Sequence, residues 1–364
     1  QRLEGALHFL DERPANKPFS LSICFNLPHS ASTSTMEQRP SDPEIYRTLY
    51  RDQEIPLPEY YLAKADIKSP KLPHIVHRPE DRQHGYDFVD KPGTLKERYI
   101  RQLQAMTGID GLVGRLRKQL KELGLSDNTV IVFTSDHGLF MGQQGLGGKA
   151  LCYEQVTHVP MIIFHPQVAD HLAQSPALVQ TIDIAPTMLS LAGISVPASM
   201  QGTDLSEVLT GQKKEVRDYL FTENLWSTKF GNPRCESIQN HRWKYIRYYK
   251  NETHSATQII ETAKVLNLKV NAMLYRVNDQ DIARYRGFLE APFRGEKPVY
   301  EEVYDLMADP AELNNLVEIV PKETLETLRE ECDMALKAAR GTEAPQVLRY
   351  TYESQLEAGT VGKH

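Results

Sequence analysis

The strongest constraint on the fold lies between residues 94 and 138, where a long amphipathic helix leads into a short apolar strand and then a polar turn. Tyr99, Leu103, Met106, Ile109, Val113, Leu116, Leu120 and Leu123 are spaced by 4, 3, 3, 4, 3, 4 and 3, which lines one helical face. Gly124 supplies a C-terminal stop. Val130-Ile131-Val132-Phe133 reads as a buried strand, and Thr134-Ser135-Asp136-His137-Gly138 follows at its carboxyl end. Helix, strand and polar turn in this order are how open α/β sheets place ligands. Further buried strands are expected over residues 18–25 and 160–164; if the first neighbours 130–133, the residues after it share a rim with the 134–138 turn. A short helix is expected over residues 184–192, capped by Asp183 and stopped by Gly193.

Around Gly211-Gln212-Lys213-Lys214 the composition turns polar, which places a domain boundary between 1–211 and 212–364. Beyond it, aromatic-rich strands are expected over residues 219–222, 237–239 and 243–249, and a helix over 324–339. The fold class is therefore α/β, a mixed sheet sandwiched by helices, plus a small C-terminal α+β subdomain with an antiparallel sheet. Residues 30–94, rich in Pro, Asp, His and Tyr, read as surface loops around a site.

A chain of 364 residues has room for two or three domains. Its 42 basic and 48 acidic side chains give a net charge of −6, which argues against a protein built to grip nucleic-acid backbone. No stretch approaches the ~18 apolar residues of a membrane span. Cys24, Cys152, Cys235 and Cys332 are scattered without a CxxC pair, so they indicate neither a zinc ribbon nor a disulfide framework. The chain opens on Gln1, and Leu3, Leu7, Phe9 and Leu10 already form the apolar side of a helix, as in a start inside a longer protein.

Three places could carry chemistry. Asp136 and His137 offer a carboxylate and an imidazole side by side, suited to a divalent cation, although Asp136 could equally cap the turn. Lys149 ends the glycine-rich stretch Gly142, Gly145, Gly147, Gly148; Gln143 and Ala150 break the phosphate-loop pattern. What remains is a flexible loop bringing a cation to the Asp136 turn, or a solvated surface lysine. His29, in Asn26-Leu27-Pro28-His29, could reach the same rim as a proton donor or anion contact, or could be idle. Asp110, His158 and Lys213-Lys214 read as surface or strand-end residues. There is no GxSxG elbow, HExxH helix, GxGxxG turn or EF-hand loop.

Taken together, the segments resemble the sulfatase family of the alkaline-phosphatase-like superfamily. The resemblance runs through Asn128-Thr129-Val130-Ile131-Val132-Phe133-Thr134-Ser135-Asp136-His137-Gly138, Gly145-Leu146-Gly147-Gly148-Lys149 and Val159-Pro160-Met161-Ile162-Ile163. It continues in Ile182-Asp183-Ile184-Ala185-Pro186-Thr187-Met188-Leu189, Met200-Gln201-Gly202, Trp243-Lys244-Tyr245-Ile246 and Tyr304-Asp305-Leu306, with Asp309-Pro310, Glu312 and Asn315-Leu316 after it. It implies an alkaline-phosphatase-like fold, incomplete at its N-terminus, and hydrolysis of sulfate esters with Ca²⁺ (or Mg²⁺) and a formylglycine made in a C/S-x-P-x-R motif. By the same resemblance Asp136 and His137 are metal ligands, and Lys149 and His29 are catalytic and contact the sulfate or the leaving oxygen. Arg234, a basic residue in the variable parts, is a further candidate substrate contact, and the resemblance implies export to a secreted or periplasmic location.

No cysteine or serine in the chain fits C/S-x-P-x-R, and no paired aspartates for the first half of the metal site are visible. The formylglycine is therefore expected upstream of Gln1, and a chain truly starting there is expected to show no sulfatase turnover and weak metal binding. The expected substrate is a sulfated small molecule or glycan, on family habit and on His84, Tyr86, Glu223, Trp226, Lys229 and Arg234 in the variable parts. The alternatives are a phosphodiesterase or phosphonate hydrolase of the same superfamily and a non-catalytic glycan-binding relative. Residues 250–298, with Tyr275, Arg276, Arg284 and Arg286, have no assigned role.

Overall fold

The structure is a computed structural model that describes residues 2–29, 40–41, 43–77, 84–168, 174–198, 200–224, 233–249 and 297–340. Trp226, Lys229, Tyr275, Arg276, Arg284 and Arg286 lie outside the described residues. Two compact units interleave in sequence: residues 1–71, 83–149 and 159–173 form one, and 72–82, 150–158 and 174–364 the other.

In the first unit, helix α1 (Arg2–Glu12) buries Leu3, Ala6 and Leu10, spaced three and four apart along one face. Helix α2 (Glu44–Thr48) and the loop after it cross helix α3 (Pro92–Glu122), which has proline at its start, where the lost N–H costs nothing. Arg115 of α3 pairs with Glu4 of α1 at 2.9 Å. The buried face of α3 holds Ile109 and Leu120 as its spacing predicts, but it also takes in Leu95, Gln104 and Ala105 and leaves Met106, and Leu123 at its C-cap, exposed. The reason is the crossing loop: the Gln104 amide donates to the carbonyls of Arg47 and Leu49 at 3.2 and 2.8 Å, satisfying groups that burial would otherwise strand. Gly124, at φ 66°, ends α3 and donates to Lys121 O.

Strand β1 (Ile131–Thr134) emerges next, then the hairpin of β2 (Phe140–Met141) and β3 (Gly147–Gly148), and β4 (Met161–Phe164). β1 pairs antiparallel with β4, Val132 opposite Ile163. The expected buried strand at 18–25 is not one. Among the described residues, 20–25 join no ladder, with half-buried Leu21, Ile23 and Phe25 alternating with exposed Ser20, Ser22 and Cys24. An apolar run does not reveal whether a partner strand exists, and among the described residues β1's partner is β4. Nor is β4 buried on both faces: Ile162 and Phe164 are exposed.

In the second unit, helices α4 (Glu154–Thr157), α5 (Ile184–Leu191) and α6 (Ser206–Leu209) precede an antiparallel sheet of β5 (Leu220–Asn224), β6 (Arg234–Gln239), β7 (Trp243–Tyr249) and β8 (Tyr300–Asp305). Helix α7 (Lys322–Arg340) covers one face: its Leu328 and Cys332 meet Ile238, Tyr245 and Val303, which the register places side by side. The opposite face carries Cys235, Lys244, Tyr248, Glu302 and Tyr304, and the 150–158 segment lies against it through Cys152, Tyr153 and Glu154.

Asp183 does not cap α5 with its side chain. Its fully buried carboxylate takes both guanidinium nitrogens of Arg217 at 2.6 Å and the N–H groups of Gln180 and Thr203 at 2.7 and 2.8 Å. A buried charge demands such partners, and this demand outweighs a cap. The chain passes so close that a Cβ on Gly202 would stand 2.0 Å from Ile182 O and 2.5 Å from Ile182 C. Gly202→Ala is therefore expected to destabilise the fold by about 3 kcal/mol, since backbone on both sides must shift. Urea denaturation monitored by circular dichroism checks this, and an unchanged midpoint would contradict it.

Candidate active site

The site grows from the end of β1. Thr134 Oγ1 donates to Pro160 O at 2.9 Å, tying the strand end to the approach of β4. The chain then turns: Ser135 Oγ donates to His137 O at 3.2 Å, and the His137 N–H donates to Asp136 Oδ1 at 3.0 Å. This internal bonding leaves the Asp136 side chain 84% exposed while His137 is only 31% exposed.

Lys149 arrives from the β2–β3 hairpin. Gly142, Gly145 and Gly148 all have positive φ, which a side chain resists. A Cβ at the first two would also meet Tyr61 and Ile67 at 2.5 Å. The expected flexible loop is therefore a packed turn, with the Tyr86 ring against Gly148 beside Lys149.

Lys149 Nζ lies 2.8 Å from His137 Nε2, and His137 Nδ1 lies 2.8 Å from Gly138 O. An ammonium has no lone pair and a carbonyl no proton, so Nε2 accepts and Nδ1–H donates, which makes the ring neutral. Asp136 Oδ2 sits 3.4 Å from the same Nε2. Two electron-pair donors thus converge, with the Lys149 ammonium on one of them.

This donor pair fits a divalent cation as part of its ligand set. A hard carboxylate oxygen and a neutral imidazole nitrogen face one point, and Nδ1–H donates to a carbonyl in the manner that orients ligating histidines. Nε2 would have to exchange Lys149 for the ion. Among the described residues no group of three or more His, Cys, Asp or Glu side chains is placed to hold a metal.

The structure thus brings Asp136, His137 and Lys149 together. His29 lies exposed just after the 18–25 segment, its N–H on Asn26 O at 2.9 Å, and among the described residues its ring bonds to none of the three. Arg234, in the second unit, is buried on β6 with its guanidinium over the Tyr249 ring at 5.3 Å. Ser135 was missed as a positioning residue, although a hydroxyl beside a carboxylate in the turn signals such a role.

The sulfatase family model matches residues 2–194. A second, described as the C-terminal part of N-sulphoglucosamine sulphohydrolase, matches residues 142–264. An N-acetylglucosamine-6-O-sulfatase of Bacteroides thetaiotaomicron is 25% identical over 356 residues, covering 86% of this chain and 56% of that protein. The chain spans about half the length of the curated relatives it matches. A Bacteroides fragilis structure described as a candidate sulfatase superposes with a TM-score of 0.63 at 24% identity, over 94% of this chain and 58% of that one. A structure of a protein with its substrate D-glucosamine-2-N,6-O-disulfate gives 0.60 at 21%, over 94% and 70%. These neighbours share the alkaline-phosphatase-like fold. No helix among the described residues is long and apolar enough to cross a membrane.

Proposed function

Because the chain belongs to the sulfatase family, we propose that the complete gene product hydrolyses sulfate esters of an amino sugar, with Asp136, His137 and Lys149 at the reacting sulfate. The observation that carries this is the Lys149 ammonium held 2.8 Å from a neutral His137, with the Asp136 carboxylate beside them. A sulfate ester brings a negative charge, and Lys149, which would give up His137 Nε2 when a cation is held there, supplies a positive one to meet it. Asp136 and His137 would hold a divalent cation, Ca²⁺ or Mg²⁺, in part; when bound, such an ion polarises the sulfate oxygens.

His29 is proposed as the proton donor to the departing alcohol oxygen. Arg234 contacts substrate only if its guanidinium is uncovered from Tyr249. The formylglycine is taken to come from outside these 364 residues, which hold no C/S-x-P-x-R motif, and no step here is built on it. The amino-sugar preference is carried over from the N-acetylglucosamine-6-O-sulfatase relative, and export from the family.

The test is release of inorganic sulfate from an aryl sulfate and from glucosamine 6-sulfate, beside phosphate release from an aryl phosphate and from a phenyl phosphonate ester. Sulfate esters should be preferred, EDTA should abolish turnover, and added Ca²⁺ should restore it. Preference for the phosphonate ester would move the protein to the sibling activity. Tight binding of sulfated glycan without turnover would make it a binding protein.

A further inference from the structure

The contact between the 150–158 segment and the four-stranded sheet joins two cysteines that are remote in sequence. Cys152 Sγ lies 3.5 Å from Cys235 Sγ, 83 residues away, and neither residue has any solvent exposure. Side-chain hydrogen bonds hold the two segments together on either side of the sulfurs. Asn224 Nδ2, on the strand paired with Cys235, donates to Ala150 O at 2.7 Å, and Tyr153 OH donates to Glu302 Oε2 at 2.7 Å. Closing the pair to the ~2.05 Å of an S–S bond asks for roughly 1.5 Å of sulfur movement. The two thiols are not equivalent: the hydrogen bond from Cys235 pulls the pKa of Cys152 down, and the same contact, with burial, pushes Cys235 well up. Neither cysteine belongs to the Asp136 site.

We propose that Cys152 and Cys235 are a disulfide-forming pair, oxidised by a low-molecular-weight disulfide of the glutathione type, and that the bond ties the segment following Lys149 to β6. The thiolate of one of the two cysteines attacks one sulfur of the small disulfide and releases one thiol. The other cysteine then attacks the protein sulfur of the mixed disulfide and releases the second. One protein S–S bond replaces two S–H bonds, and the two electrons and two protons leave on the two small thiols. Because both sulfurs are covered, exchange takes place while the 150–158 segment is off the sheet, during folding or transient opening. Once the segment has closed, the bond is shielded from reductants.

The 364-residue chain is folded in a buffer containing reduced and oxidised glutathione, quenched in acid, alkylated under denaturing conditions and digested. The expected result is a Cys152–Cys235 cross-linked peptide, with Cys332 alkylated. The oxidised protein should melt about 5 °C above the fully reduced one, the scale expected for closing so long a loop in a chain of this size. Recovery of both Cys152 and Cys235 as alkylated thiols, or a cross-link of either to Cys24 or Cys332, would overturn the proposal. The mapping uses the unmutated chain, so its outcome does not depend on a variant folding. A Cys152→Ser/Cys235→Ser chain that folds should lose the redox-dependent melting shift; retention of the shift would also overturn the proposal.

Discussion

Lys149→Met is expected to lower sulfate-ester turnover by the complete gene product roughly 10²–10³-fold, with little change in melting temperature. The substitution removes the one cation that the β2–β3 hairpin delivers to His137 Nε2. The stem remains, so the packing of Tyr61, Ile67 and Tyr86 on the hairpin glycines is preserved. His137 is partly exposed, and water can replace the lost donor. Lys149→Arg should recover only part of the rate, because a planar guanidinium cannot stand where a compact ammonium does. Both effects are read as kcat/KM beside thermal melts. A Lys149→Met enzyme within about threefold of the parent would show that this charge is not at the reacting sulfate.

The largest effect on stability is expected at Lys244. Its ammonium is buried between Glu154 Oε1 at 2.9 Å and Glu312 Oε1 at 3.0 Å. Burial by itself depresses the Lys244 pKa, but the charges of Glu312 and Glu154 reverse this and leave it raised. Burial pushes up Glu312, whose pKa stays raised despite Lys244; it also acts upward on Glu154, where the lysine charge wins and the pKa is lowered. Lys244→Met removes the cation shared by two carboxylates, leaving Glu154 its contact with His158 and Glu312 the Glu154 N–H, and should cost about 3–5 kcal/mol in urea denaturation.

The response to pH follows from these directions. Glu154, with its lowered pKa, contributes stability above its unfolded pKa that is lost as the pH falls through its folded value. Glu312, raised, contributes stability below its unfolded pKa that is lost as the pH rises through its folded value. In Lys244→Met both carboxyls can be neutral in acid, so its deficit against the parent should shrink as the pH is lowered into the carboxylate range. Glu312→Gln added to Lys244→Met should likewise recover stability at neutral pH. A deficit that grows in acid, or no recovery, would contradict this account of the triad.

Features carried by nearby residues could be read directly from the sequence. Helix α3 announced itself through its 3–4 spacing and Gly124, and the Thr134–Gly138 turn through a carboxylate and imidazole after an apolar strand. The contacts that decide the rest span distances no local pattern encodes. Lys149 meets His137 across 12 residues, Arg217 claims Asp183 across 34, and Cys152 meets Cys235 across 83. Strand β8 has no clear apolar alternation to announce it, because Glu301 and Glu302 interrupt it, yet Glu302 is buried and takes the hydroxyls of Tyr153 and Tyr248 at 2.7 Å. Residues 18–25 failed in the opposite way: an apolar run looked like a buried strand, but a strand also needs a hydrogen-bonding neighbour.

The most direct measurement is inorganic sulfate released from a sulfate ester by the complete gene product and by its Asp136→Ala variant, each titrated with Ca²⁺. If Asp136 and His137 form part of a divalent-cation site at the reacting sulfate, the variant should need about 10–100-fold more Ca²⁺ for half-maximal rate, or lose turnover altogether. The same rate with the same Ca²⁺ dependence in both proteins would contradict the assignment of this turn as the active site.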